Sequence, residues 1–349
     1  MSLRFFLKML CVVPCKRRIK IRLVLVTLTI VSLVIGWHLS YRCSSALLPP
    51  EPNLALDHFR TDRSLKSYLE KINILIEPSK VVCPTTTQLL VLVTSAPDRF
   101  EHRDAVRNTW ASHFPTYFIM GLHGNTVEDL MVENYVEAKM YSDVIIYKFK
   151  DHYQNLTLKT ALMLEWTATR CPTDLVLFKT DDDVLVNPWV MKQLVKEHAG
   201  RDLVGYKLLN KKFHRDVYNK WFVPRWMLNE DHIEEYLSGT GYLINGYHLR
   251  DILATAYRTP MINLEDVYFT YLVSKRKLGL NLTHDRRLSP FKPWLPGACM
   301  YFKLASSHSL SPAEMTQHWR GVQRLGRESD MGNDVCGDDD VTWSEMFLY

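Results

Sequence analysis

Unbroken apolar runs and helically spaced apolar positions take turns along most of this chain. Leu89-Leu90-Val91-Leu92-Val93 and the runs at 117–121, 144–147 and 175–178 are short and continuous, as expected of strands buried on both faces. Leu158, Leu162 and Trp166 recur every fourth residue, marking a helix through about Arg170. Thr94-Ser95-Ala96-Pro97 closes the first run with turn chemistry. Beyond it Arg99, Arg103 and Arg107 share one helical stripe. Such alternation predicts an α/β domain with a mostly parallel central sheet.

One strand ends unusually. Leu175-Val176-Leu177-Phe178 runs through Lys179-Thr180 into Asp181-Asp182-Asp183, and Asn187-Pro188 then opens a helix. Ligands of α/β sheets collect at the carboxyl ends of strands, so three carboxylates there suit Mg²⁺ or Mn²⁺. A divalent ion so placed could hold a diphosphate. Asp338-Asp339-Asp340 is a second triplet, but Cys336-Gly337 precedes it and no apolar strand does; it reads as a solvated loop.

Composition changes the picture at the N-terminus. Of 43 Lys and Arg against 38 Asp and Glu, seven basic side chains and no acid fall in the first 22 residues. The remaining 36 basic and 38 acidic residues nearly balance, which argues against nucleic acid as a partner. Residues 23–41 contain no Asp, Glu, Lys or Arg and end in Trp37 and Tyr41, long enough for a membrane span with interfacial aromatics. The expected organisation is a cytoplasmic basic tail (1–22), a single-pass signal-anchor helix (23–41), a stem (42–86) and a lumenal catalytic domain (87–349). Cys11 and Cys15 read as cytoplasmic thiols. Cys83, Cys171, Cys299 and Cys336 allow three disulfide pairings, with Cys43 left over.

Further candidates have two readings each. The arginine stripe could bind a nucleotide diphosphate through bidentate guanidinium contacts, or be a solvated face paired with Glu101 and Asp104. Gly239-Thr240-Gly241 is a close-approach turn or a bend before a strand. Glu265-Asp266 supplies a general base or favourable acids at a helix start. His308 is structural or a ligand. Asn155-Leu156-Thr157 and Asn281-Leu282-Thr283 are glycosylation sequons.

From Leu89 to about Trp319 the chain resembles the inverting β-1,3-glycosyltransferases, which include β-1,3-galactosyltransferases and β-1,3-N-acetylglucosaminyltransferases. The resemblance is carried, in order, by Arg103-Asp104-Ala105-Val106-Arg107-Asn108-Thr109-Trp110, Phe118-Ile119-Met120-Gly121, the stretch from Asp151-His152-Tyr153 to Lys159-Thr160, Lys179-Thr180-Asp181-Asp182-Asp183-Val184, Gly239-Thr240-Gly241-Tyr242 and Glu265-Asp266-Val267-Tyr268. It implies a GT-A nucleotide-sugar transferase fold, a UDP-sugar donor, Mn²⁺, a glycan acceptor on glycoprotein or glycolipid, and a type II layout in the Golgi membrane. Self-association into a homo-oligomer is possible.

Carried onto this sequence, Asp183 and His308 would ligate the metal and Asp266 would be the catalytic base. Asp181 and Asp182 would contact donor ribose and sugar or support the site; Arg103, Arg107, Lys179, Gly239 and Gly241 would join the nucleotide-sugar contacts. Three stretches depart from the family: Leu237-Ser238 stands where many relatives have Gly or Cys, Leu243-Ile244-Asn245 replaces a more usual small polar ending, and Phe269-Thr270 is bulkier than its small residue and Gly. The Glu-Asp-Val form points first to galactose as the sugar moved to a 3-hydroxyl. N-acetylgalactosamine and N-acetylglucosamine are the alternatives. A silent glycan-binding or chaperone-like relative should have lost the metal or base acids, and a metal phosphoesterase would want more His and Asp ligands.

Overall fold

The computed structural model describes residues 24–37, 56–84, 88–294, 297–333 and 335–337. It divides into two compact units, Met1–Pro52 and Asn53–Tyr349. In the first, residues 24–37 form an exposed helix of 14 residues, about 21 Å at the α-helical rise. Among the described residues no helix is long and apolar enough to cross a membrane, so the expected span over 23–41 is not shown. The rest of that run, the basic tail, Cys43 and the Asp338–Asp340 triplet lie outside the described residues.

The second unit is built on β1 (Ile74–Ile76), β2 (Leu89–Thr94), β3 (Thr116–Leu122), β4 (Val144–Lys150), β5 (Val176–Asp181), β6 (Leu185–Val186), β7 (Leu203–Lys212), β8 (His232–Asn245), β9 (Leu282–His284), β10 (Leu288–Ser289) and β11 (Ser306–Ser307). Its helices are α1 (Leu65–Leu69), α2 (Phe100–Arg107), α3 (Val132–Tyr141), α4 (Leu156–Arg170), α5 (Pro188–Glu197), α6 (Leu249–Ala256), α7 (Ala298–Phe302) and α8 (Pro312–Asp330), with a π-helix at Val267–Lys277. Eight strands form one sheet in the order β1-β4-β3-β2-β5-β8-β7-β9; β10, β11 and β6 form a small second sheet.

The strand runs are continuous because both sheet faces are covered. Leu90 and Leu92 of β2 enter one core with Leu158, Leu162, Ile252 and Tyr268, while Leu89, Val91 and Val93 enter another with Val106, Met191 and Trp319. The α/β expectation holds. The mostly parallel sheet does not: β4-β3-β2-β5 and β7-β9 pair in parallel, but β1-β4, β5-β8 and β8-β7 pair antiparallel. β8 returns from β7 as a long hairpin arm and then lies against β5, which forces both contacts antiparallel.

The stem boundary also moves. Leu56, Phe59, Leu65 and Leu69 are buried in the main core, and β1 adds an edge strand against β4. Within the expected stem, residues 64–76 form α1 followed by that strand. The folded unit therefore starts well before residue 87, because polar spacing hid four core side chains. Of the three possible pairings, the disulfides are Cys83–Cys171 and Cys299–Cys336.

Candidate active site

The site forms where the parallel strands β2 and β5 end side by side and the middle of antiparallel β8 passes them at Gly241. Asp181 closes β5, and Asp182 and Asp183 turn away from the sheet toward β6. Asp182 is buried and receives Arg99 through Nε at 2.9 Å and Nη2 at 2.7 Å, with Ser95 Oγ at 2.7 Å. It clamps the acidic turn to the turn after β2. That second turn is held from below: Arg103 donates to Ser95 Oγ and Ala96 O, Lys159 to Ser95 O, and Asn134 to Pro97 O. Lys159 is in turn paired with Asp151 at 2.7 Å.

The arginine stripe is consequently not a solvated face. Arg103 is wholly buried and pairs with Glu137 at 2.6 Å; Arg107 pairs with Glu137 and with Asp143, both at 2.7 Å. Both guanidinium groups lie behind the turn, and neither lines the cavity beside the acids. Glu101 and Asp104 take no part in these pairs.

Asp181, Asp183 and His308 present ligand atoms within 4.8 Å of one another. His308 follows β11, which pairs antiparallel with β6 and so returns the chain to the acidic turn; its Nε2 is 3.4 Å from Asp183 Oδ1. That oxygen is buried without a hydrogen-bond donor. Burial pushes the Asp183 carboxyl up, and Asp181 and Asp182 push the same way against His308. A carboxylate so strained by its neighbours fits a divalent cation, and two carboxylates with one imidazole suit Mn²⁺. The sequence reading placed Asp183 and His308 here; Asp181 is the addition.

Lys179, one strand position before Thr180, is buried among acids. Its Nζ lies 2.8 Å from Asp181 Oδ1 and 3.1 Å from Glu265 Oε1, and donates to Gly239 O at 2.5 Å. Burial pushes the Asp181 carboxyl up, but Lys179 and the Thr94 hydroxyl outweigh it and hold Asp181 below the usual range. Glu265 also accepts from Tyr242 Oη at 3.0 Å and Thr160 Oγ1 at 3.2 Å. Burial raises its carboxyl despite Lys179.

Asp266 caps the π-helix. Its Oδ1 accepts from Val267 N at 2.8 Å and its Oδ2 from Gly239 N at 3.1 Å. Burial, then the neighbouring Glu265 charge, push Asp266 up to about 7, a range suited to proton transfer near neutrality. The strand opposite is bulged: Gly205 pairs with Tyr242 and Lys207 with Leu237, so Ser238–Gly241 bow out of the β7 ladder while Gly241 stays paired with Thr180 of β5, re-aiming the chain as bulges beside active sites do. A Cβ on Gly239 would stand 2.8 Å from Glu265 Oε1 and 3.2 Å from Asp266 Oδ2. On Gly241 it would meet Phe178 at 2.9 Å. Gly239 thus faces the acids, whereas Gly241 faces the core. Phe269 and Thr270 are buried too; Thr270 Oγ1 accepts from Leu237 N and donates to Asp266 O, bracing the cap.

A cavity of about 450 Å³ joins these groups, lined by Lys179, Asp181, Gly239, Glu265, Asp266 and His308 on the polar side. Tyr153, Trp221, Tyr236 and Phe291 wall the other. Burial, then the Asp266 charge, raise the hydroxyl pKa of Tyr153 and Tyr236. The sequence reading gave Lys159 and these aromatics no role and named Glu265 only beside Asp266, since nothing local marks which of many Lys and Tyr converge. Of the sequons, Asn281 is exposed, while Asn155 is half-buried with Nδ2 on Lys150 O at 2.9 Å and Thr157 is buried.

Comparison with known proteins agrees with this geometry. A family model described as galactosyltransferase matches residues 101–285. The Homo sapiens and Mus musculus proteins called beta-1,3-galactosyltransferase 1 are each 32% identical to this chain over 247 residues, covering 67% of it and 73% of themselves. The Homo sapiens acetylgalactosaminyl-O-glycosyl-glycoprotein beta-1,3-N-acetylglucosaminyltransferase is 31% identical over 278 residues, covering 74% of this chain and 72% of that protein.

Proposed function

This chain belongs to the galactosyltransferase family, and from that premise we infer a β-1,3-glycosyltransferase that moves galactose from a UDP-sugar to the 3-hydroxyl of a glycan acceptor. We read its mixed α/β architecture as GT-A-like. The observation that carries the mechanism is the separation of two acidic centres in one cavity. Asp181, Asp183 and His308 would hold Mn²⁺, which supplies positive charge opposite the leaving diphosphate. Asp266, fixed by two backbone amides, takes the proton of the acceptor hydroxyl as its oxygen attacks the anomeric carbon. Bond making to the acceptor oxygen and departure of UDP from the opposite face give inversion. Lys179 holds Asp181 and the Gly239 carbonyl in register, and Arg99 with Asp182 keeps the turn after β2 against the acidic turn.

N-acetylglucosamine is the second reading for the donor, favoured by the similarity to an N-acetylglucosaminyltransferase. We further propose a Golgi, type II membrane setting for the catalytic unit. The basic first 22 residues and the uncharged run at 23–41 support it. The deciding experiment uses the secreted chain from residue 45, UDP-galactose, UDP-N-acetylgalactosamine or UDP-N-acetylglucosamine, Mn²⁺ and an acceptor array. Transfer from one donor, lost on chelation and restored by Mn²⁺, is the expected outcome. Failure to bind UDP in the presence of Mn²⁺ overturns the reading.

A further inference from the structure

Helix α3 is turned inside out for a helix at the surface. The positions it buries are Asn134, Glu137 and Ala138. Glu137 holds Arg103 and Arg107, and Asn134 donates to Pro97 O, so its inner face is spent on supporting the turn after β2. The positions it exposes are apolar: Val132 is 73% exposed, Met140 68%, Val136 49% and Tyr135 46%. A solvated helix carries its polar residues outward, so this face is built to be covered.

Val132, Val136 and Met140 recur every fourth residue and form one ridge. Beside it runs a groove of about 490 Å³, whose surface is almost wholly apolar, closed by Pro97, Phe100, Met131 and Tyr141. A face that carries a ridge next to a groove fits a copy of itself, because a two-fold axis sets each ridge against the other groove. Charge agrees with that partner. Glu128, Asp129 and Glu133 stand at or before the N-terminal end of α3, and Lys139 stands near its C-terminal end. Antiparallel helices bring the acids of one copy toward Lys139 of the other, whereas parallel helices set like charge on like. The area agrees too. With Phe100 and Tyr141 also exposed, and each aromatic side chain carrying ~150–250 Å², the patch reaches several hundred Å². That is on the scale of the ~300–600 Å² of the largest patch on a typical monomer and a large share of the ~800 Å² per partner of a stable interface.

We propose that this face joins two copies of the chain as an isologous dimer, with the two α3 helices antiparallel across the two-fold axis. None of the residues lining the groove lines the cavity that holds Asp266 and the metal cluster, so association and transfer are separable.

The test uses the secreted chain from residue 45, which contains the whole second unit, in sedimentation velocity over a concentration series. The unaltered chain should sediment at twice its monomer mass. Val136→Asp sets a charge in the apolar contact twice per dimer and should weaken association at least about 100-fold, with an unchanged cooperative melt as the check of folding. Residues 132 and 140 lie about 12 Å apart along the helix. Mild oxidation of a mixture of Val132→Cys and Met140→Cys chains should therefore join one of each, while either chain alone gives little covalent dimer. A monomer at every concentration, a dimer that Val136→Asp leaves intact, or cross-links within each chain type and none between them overturns the proposal. A monomer that Val136→Asp destabilises points to cover by another segment of the same chain and overturns it equally.

Discussion

At the residue scale, the chemistry turns on how neighbours set Asp266. A base works as the carboxylate, and Asp266 sits at about 7 because burial and Glu265 disfavour its charge. Activity is therefore expected at high pH and lost as pH falls: kcat/KM should drop toward tenfold per unit below about 7. Glu265→Gln removes the second cause, so the acid limb of the pH–rate profile should move to lower pH; a limb that stays in place argues against this account. Asp266→Asn keeps the shape and removes the base. Its kcat should fall by about 10² to 10⁴ with UDP binding retained, read by steady-state kinetics and calorimetric titration.

At the element scale, the bulge in β8 and the cap of the π-helix are one device. Gly239 offers its amide to Asp266 and its carbonyl to Lys179, and the close approach leaves no space for a side chain. Gly239→Ala should cost at least about tenfold in kcat while shifting Tm little, since the displaced carboxylate is a matter of orientation. Gly241→Ala should do the reverse, because its Cβ strikes Phe178 in the core and overpacking costs about 1–3 kcal/mol. Parallel activity and melting measurements separate the two. The buried Arg103–Glu137 pair supports the turn after β2. Arg103→Met takes one of two guanidinium partners from the buried Glu137 and should destabilise by up to about 3–5 kcal/mol, measured by denaturant unfolding.

At the scale of the whole molecule, the folded unit reaches further toward the N-terminus than its motifs do. Leu56, Phe59, Leu65 and Leu69 each bury a side chain in the main core, worth roughly 1.5–3 kcal/mol apiece. Cys83 ties the same segment to the end of α4 through Cys171. A fragment starting at residue 53 should therefore be secreted and melt cooperatively, while one starting at 87 should be retained or aggregate. Equal yield and equal Tm of the two would contradict the packing.

The strands, the acidic turn, the helix after Asn187-Pro188 and the pair Glu265-Asp266 were legible in the sequence because each is written locally: an unbroken apolar run, a cap, a cluster of one charge. The same locality explains the misreadings. Sheet direction depends on which strands become neighbours, so a hairpin arm inserted beside β5 made a mixed sheet from runs that read as parallel. An arginine stripe has the same spacing on a ligand face and in a core, and Glu137 and Asp143, 30 to 36 residues away, decided for the core. Lys179 beside Glu265, His308 beside Asp183, and Asn263 on Gln154 are contacts across the chain. Residue type and local pattern determined which groups could do chemistry; tertiary structure decided which of them meet, since charge, burial and hydrogen bonding act through space at a few ångströms, whatever the distance along the sequence.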